Sequence, residues 1–348
     1  MQGGIAKHLH LLRLALAEHV DIDLYSYSGK NDVESTWKKL VERSQDLFRL
    51  FAALKRSRPD LIQHNSAFDA RSILRDTPLV WIAKIVGVPL LLKVHGSHRE
   101  TFGHLAPPLS WLRSSLLKNV RMLGVLSRQE KAEFLSLCPR LQKRVRVVKN
   151  VIGQEFLNIV RQESDYPTVL FISRFVKMKG PFDLLEAVPA VLHECAAARF
   201  VFAGSGPAVE EFLFEVKRRA LEKCVTWVGN LDHTATIEYY ERSWVFAFPT
   251  HFPEGMPMVI AEAMAAGIPI VTTRTRFSTS YMEEGKHCLF VDHSDPASLG
   301  RAICALLNNP GMRSEFSANN RQFAKQFSLD RVVEEYLAIY SEIVASQH

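Results

Sequence analysis

Short apolar segments of strand length alternate with longer amphipathic segments along almost the whole chain. Parallel strands need a crossover of a dozen or more residues, and a helix supplies it. The alternation therefore predicts parallel sheets with helices on both faces. In the first half it predicts helix 5–19, strand 20–27, helix 36–57, strand 60–64, helix 79–86, strand 89–95, helix 109–119, strand 122–126, helix 128–137 and strand 145–148. Residues 150–167 are polar and weakly patterned and read as a connection. A second series places strands at 168–173, 199–203, 225–228, 244–248, 268–271 and 288–291, with helices between them and three closing helices at 296–307, 312–327 and 329–345. The fold class is α/β, with two doubly wound domains in series at 1–150 and 168–328. Residues 151–167 join them, and 329–348 form a terminal helix free to pack back on the first domain. The 348 residues are enough for two full cores.

Composition excludes several classes. An apolar fraction of 47% is ordinary for a globular protein. No run reaches the ~18 uninterrupted apolar residues of a membrane span; the longest candidate, 79–94, is broken by Lys84, Gly87, Pro89 and Lys93. The start shows no basic segment followed by an apolar core, so no signal peptide is expected. Five scattered cysteines without a CxxC pair fit reduced thiols in a cytoplasmic protein, and the histidines lack metal-site spacing. Charge is uneven: residues 1–165 hold 26 Lys and Arg against 16 Asp and Glu, whereas 166–348 hold 17 against 21. A basic first half suits an anionic membrane surface or a phosphorylated acceptor, and equally a merely solvated face. Nucleic acid is not expected, because no nucleic-acid-binding motif is present.

The densest chemistry lies at 252–271, Phe-Pro-Glu-Gly-Met-Pro running into an apolar helix and a strand. Pro257 suits a first helical position and Gly267 a helix end. Glu254 then falls in the loop ahead of the helix and Glu262 near its second turn, on the order of 10 Å apart. That spacing is too long for one acid–base pair but fits the two ends of a long polar ligand. Between them the helix N-terminus, with Gly255, Met256 and Pro257, favours an anion. Arg174 and Lys179 follow the first strand of the second domain, just ahead of Gly180; a guanidinium and a mobile ammonium there can hold phosphate oxygens. Gly204 and Gly206 mark another strand-to-helix turn, Gly3 and Gly4 open the first helix, and His95 ends a strand. Each has a plainer reading, as a solvated carboxylate, an ion-paired loop charge, an ordinary turn or a hydrogen-bonded histidine.

Together these motifs resemble the retaining glycosyltransferases of family 4, whose signature is Glu-x7-Glu. The resemblance spans nearly the whole chain and is strongest at 168–292. It implies the GT-B fold, two Rossmann-like domains facing across a cleft. It implies that Glu254 contacts the donor sugar, Glu262 the nucleotide ribose, and Arg174 and Lys179 the diphosphate, with His95 near the reacting sugar. Gly204, Gly206, Gly255, Met256 and Pro257 would line the nucleotide sugar, and the backbone at Gly3 and Gly4 would meet its phosphate or sugar. The implied reaction moves a sugar from a nucleotide-diphosphate sugar to a hydroxyl acceptor, with retention, in polysaccharide, lipopolysaccharide or glycolipid synthesis. No metal or other cofactor is implied. The implied partners are the nucleotide sugar and a hydroxyl acceptor, lipid-linked or not, with the basic first domain at the inner face of an anionic membrane.

The chain departs from the family in three places. Relatives have a strand before the Gly-Gly loop, so the first strand of domain one is missing here; either the start is truncated or the sheet lacks its innermost strand. Residues 274–280, Arg-Thr-Arg-Phe-Ser-Thr-Ser, replace a Gly-Gly and glutamate, which puts that loop's sugar contacts in doubt. His287-Cys288 replaces an Asn-Gly. A catalytically inactive scaffold or binding subunit of a glycan-assembly complex is the alternative from another class, and a GT-B-shaped epimerase or phosphorylase is a third, because fold alone does not fix function.

Overall fold

The structure, a computed structural model, describes residues 4–25, 36–97, 103, 105–252 and 254–346, with only the backbone at 4–7 and 36–43. Two compact units emerge: a larger one of Met1–Leu11 with Asn150–Val332, and a smaller one of Leu12–Lys149 with Val333–His348. Helix α1 (Gly4–Leu16) spans the first boundary.

The smaller unit runs through α2 (Thr36–Ser57), β1 (Ile62–Ser66), α3 (Ala70–Val86), β2 (Leu90–Val94), α4 (Leu109–Asn119), β3 (Met122–Val125), α5 (Arg128–Leu137) and β4 (Val145–Val147). Its four strands pair in parallel in the order β1-β2-β3-β4. Strand β2 is buried on both faces, as parallel strands usually are. Leu90, Leu92 and Val94 join a core with Leu50, Ile73, Phe68 and Phe134. Lys93 is on the other face and is also fully buried, its ammonium donating to the Val148 carbonyl.

Two expectations fail in this unit. Residues 20–25 form no strand, and 26–27 lie outside the described residues. Ile22 and Leu24 alternate with Asp21 and Asp23, but both apolar side chains are exposed, so the period-two pattern has no sheet to join. Helix α3 begins nine residues before the expected start at 79. Asp69 caps it by accepting from the Ser72 N–H, and Pro78 is accommodated inside it.

The larger unit continues with α6 (Gln154–Leu157), β5 (Thr168–Ile172), α7 (Pro181–Glu194), β6 (Arg199–Ala203), α8 (Val209–Arg218), β7 (Val225–Trp227), α9 (His233–Arg242), β8 (Val245–Phe248), α10 (Met258–Ala266), β9 (Ile270–Thr273), α11 (Arg276–Tyr281), β10 (Cys288–Val291), α12 (Pro296–Leu307) and α13 (Pro310–Ala324); α14 (Leu329–Ala345) then ends in the smaller unit. Residues 150–167 bury Val151, Ile152, Phe156 and Ile159. Pro257 caps α10 in an extended conformation instead of occupying its first turn, and the following strand starts two residues later than expected. Residues 274–280, expected as an altered loop, mostly form α11, held by a reciprocal cap between Thr275 and Ser278.

The six strands are parallel in the order β10-β9-β8-β5-β6-β7. From the central pair β5–β8 the chain winds outward in both directions, which is the Rossmann arrangement. Connections on the two sides of such a pair leave on opposite faces, so a crevice opens beyond the carboxyl ends of β5 and β8. The loops after these two strands carry Arg174, Lys179 and Glu254.

Candidate active site

The β5 loop is anchored before it is charged. Phe175 is fully buried, packing edge-on against Phe171 and Phe212 with centroids 5.8 and 5.2 Å apart. Its neighbour Arg174 is exposed; its carbonyl accepts from the Val176 N–H (2.9 Å), but its guanidinium has no hydrogen-bond or ion-pair partner among the described residues. Backbone bonds lock this loop to the turn after β6: Phe175 N–H donates to the Ser205 carbonyl (2.8 Å) and Ala208 N–H to the Phe175 carbonyl (3.1 Å). Gly204 makes that approach feasible. Its φ is +126°, and a Cβ there would sit 1.8 Å from the Ser173 carbonyl oxygen. Gly206 belongs to the same turn. Replacing Gly204 with alanine is expected to cost about 3 kcal/mol of unfolding free energy, through strain and a displaced Arg174 loop. Urea unfolding checks this; a loss below about 1 kcal/mol, the scale of an ordinary glycine substitution, refutes the packing role.

Lys179 closes the same loop. Gly180 follows it with φ +82°, and a Cβ there would lie 2.1 Å from the Pro249 carbonyl, so the loops after β5 and β8 are in backbone contact. His251 N–H donates to the Met178 carbonyl (2.8 Å), as does the Thr250 hydroxyl (3.3 Å). This contact brings the Lys179 ammonium onto the Glu254 carboxylate as an ion pair. The same carboxylate, also 3.3 Å from Thr250 Oγ1, is the alternative acceptor for that hydroxyl, and the ammonium lies 4.6 Å from the centroid of the Phe252 ring. Glu254 is only 7% exposed. His251 Nε2 meets Asp183 Oδ2 at 2.7 Å, tying the loop after β8 to the first turn of α7.

Beyond Glu254 the N–H groups of Gly255 and Met256 have no protein acceptor among the described residues, and α10 starts directly after Pro257. Unsatisfied N–H groups at a helix N-terminus favour an anion. The Tyr240 hydroxyl lies within donating distance of the Val259 carbonyl (3.1 Å) and of Oε2 of Glu262, one turn into α10 (3.3 Å). Burial, and then the charge of Glu262, holds the Tyr240 phenol well above its usual range, so it remains a donor.

His95 belongs to the smaller unit, at the carboxyl end of β2. Its Nε2 bonds Asn65 Oδ1 at 2.8 Å, and its N–H donates to the Ser66 carbonyl. Gly3 lies outside the described residues, and Gly4 is described only as the start of α1. Sequence reasoning missed Thr250, His251, Asp183 and Tyr240. Thr250 and His251 directly precede the Glu-x7-Glu stretch, and Asp183 follows Lys179 by four positions, but only the contact between the loops shows that they belong together.

Residues 154–323 match the family model described as Glycosyl transferases group 1. The chain is 24% identical over 98% of its length to a Campylobacter jejuni enzyme, the GalNAc-alpha-(1->4)-GalNAc-alpha-(1->3)-diNAcBac-PP-undecaprenol alpha-1,4-N-acetyl-D-galactosaminyltransferase, and covers 96% of that protein. The chain is a GT-B glycosyltransferase. The transferase is also 23% identical to the alpha-D-kanosaminyltransferase of Streptomyces kanamyceticus, over 75% of this chain and 72% of that one. Among solved structures its fold is similar to Anabaena HepE in complex with UDP, with a TM-score of 0.78, 15% identity and coverage of 98% and 96% of the two chains. The sucrose-phosphate synthase of Thermosynechococcus elongatus is similar too, with a TM-score of 0.74, 19% identity and coverage of 99% and 94%.

Proposed function

We propose that this transferase is a retaining member of glycosyltransferase family 4, moving a sugar from a nucleotide-diphosphate sugar to a lipid-linked hydroxyl acceptor. The observation that carries the reading is the Lys179–Glu254 pair at the switch point between β5 and β8, beside an exposed and unpaired Arg174. In the donor-free protein Lys179 neutralises Glu254. A diphosphate entering the crevice competes for the ammonium and takes Arg174 as a second cation; the released Glu254 carboxylate then accepts hydroxyl protons of the donor sugar. Glu262 holds the ribose hydroxyls, with Tyr240 fixing its carboxylate. Arg174, Lys179 and the N–H groups of Gly255 and Met256 stabilise charge that grows on the leaving diphosphate, which is the charge a transition state rewards. That arrangement supplies the electrostatic stabilisation from the chain's own groups, with neither metal nor other cofactor. In front-face attack the departing phosphate oxygen takes the acceptor proton, and the anomeric configuration is kept.

The acceptor reading is supported by the Campylobacter relative, whose name includes an undecaprenol-diphosphate-linked acceptor. Among the described residues no helix is long and apolar enough to cross a membrane. We place the transferase in the cytoplasm, its basic smaller unit against the inner face of an anionic membrane. A panel of UDP-, GDP- and ADP-sugars tests the donor reading. The matching donor at about 100 times its Kd is expected to add roughly 2.7 kcal/mol of stability, seen as a raised Tm, and the product should keep the donor's anomeric configuration by NMR. No shift with any donor would favour an inactive scaffold; an inverted product would overturn retention.

A further inference from the structure

We propose that the α3–α4 face of the smaller unit docks on an anionic phospholipid bilayer, with a lipid phosphate entering a cavity beside Trp111. This gives the membrane contact proposed above a location, and it does not depend on the transfer chemistry. The cavity, about 380 Å³, opens where α3 and α4 end and β4 begins, at the opposite end of that sheet from His95. Lys84, Lys118, Arg140 and Arg144 line it, and no acidic residue does. Cations near helix C-termini often serve the helix alone. That reading accounts for Arg144, which donates to the Lys118 and Val120 carbonyls at 3.4 and 3.0 Å, and for Lys84, which donates to Asn119 Oδ1 at 2.7 Å. It does not account for Lys118 and Arg140, which are exposed and whose side-chain cations have no hydrogen-bond or ion-pair partner among the described residues.

The rim of the cavity decides between a soluble phosphate and a lipid. Trp111, which lines the cavity, is 61% exposed and stands edge-on to Trp81, with centroids 5.7 Å apart; outside the lining, Ile85 of α3 is 73% exposed. A soluble anion gains nothing from an exposed indole and an exposed isoleucine. A membrane interface does, because an indole settles at headgroup depth and neighbouring cations reach the phosphates.

The test is co-sedimentation of the full chain with vesicles of phosphatidylcholine alone or mixed with phosphatidylglycerol. Wild type is expected to pellet with the anionic vesicles and not with the neutral ones. The double variant Lys118→Gln/Arg140→Gln should bind them roughly 30-fold more weakly, given about a fivefold contribution from each cation near an anionic surface. Trp111→Ala should weaken binding while its circular-dichroism melt stays at the wild-type Tm. Equal pelleting of wild type and both variants overturns the proposal, and so does equal binding to neutral vesicles. Release of the protein by inorganic phosphate, at an ionic strength where chloride does not release it, overturns the lipid source. Donor-induced Tm shifts are measured on the same samples. A missing shift with vesicle binding intact counts against the transferase site alone, and the reverse counts against this docking face alone.

Discussion

Replacing Lys179 with methionine is expected to cut the transfer rate by roughly 10²–10³, the range found when one preorganised charge-stabilising group is removed. The substitution acts twice. It takes away one of the two cations proposed to face the departing diphosphate, and it leaves Glu254, only 7% exposed, with the Thr250 hydroxyl near its carboxylate and no ammonium. Breaking a mostly buried ion pair from one side costs up to about 3 kcal/mol, so the donor-free variant should also unfold at lower urea. Adding Glu254→Gln removes the orphaned charge. The double variant should regain much of the stability and none of the rate, a pattern that a purely structural pair would not give. Lys177→Ala is the control. Lys177 belongs to the same loop but is two-thirds exposed and pairs with Glu211, so its loss should change the rate by less than about twofold, as for most surface pairs. Nucleotide release from the donor that raises Tm is the assay, and an undiminished rate in Lys179→Met would remove this residue from the mechanism.

The second large effect concerns stability. Lys93 is fully buried in β2, and burial pushes its ammonium down to about 7 from an ordinary 10.5, with the carboxylates of Glu130 and then Glu335 opposing that shift. Folding therefore expels a proton from this group between pH 7 and 10.5. The unfolded chain binds more protons over that window, so stability rises with pH through it, and the penalty is fully present below pH 7. Lys93→Met removes the penalty. Its stability gain over wild type should shrink by about 2–3 kcal/mol from pH 6 to pH 9, read from urea unfolding at the two values. Glu130 should tolerate the change, because its carboxylate already accepts from Ser97 N–H (3.1 Å), Ser97 Oγ (2.7 Å) and Leu126 N–H (2.8 Å). A gain that does not vary with pH would mean that Lys93 is charged and equally solvated in both states.

Much of the architecture was legible because local signals agreed with the final packing. Helix α5 has Ser127 as its cap, accepting from Glu130 N–H, and strand β10 is a short apolar run between polar turns. The misses have local causes too. Ile22 and Leu24 alternate as in a half-buried strand, yet pairing is decided by a partner that local sequence does not specify. Pro78, just ahead of the expected helix start at 79, lies inside a helix capped at Asp69. Lys93 interrupts an apolar run in the sequence, and nothing in its neighbours reveals that the chain buries it. For the site, Lys179 and Glu254 could each be named, but they are 75 positions apart. Their contact follows from the strand order, in which β5 and β8 become neighbours, and from the close backbone approach at Gly180. Asp183, His251 and Tyr240 could not be reached without that order.

The β5–β8 register also sets a schedule for biosynthesis. Val169 pairs with Val245, 76 positions later. At typical ribosomal speeds of about 5–20 residues per second, roughly 4–15 s separate the emergence of the two partners. Through that interval the apolar edge of β5 has no neighbour on that side, and Lys179 has no carboxylate to meet. Closing so long a loop carries an entropic cost that grows only slowly with its length, so the delay is mainly kinetic. A nascent chain stalled before β8 would hold the β5–β7 half of the sheet with an uncovered flank, the stage at which a chaperone would find most to bind.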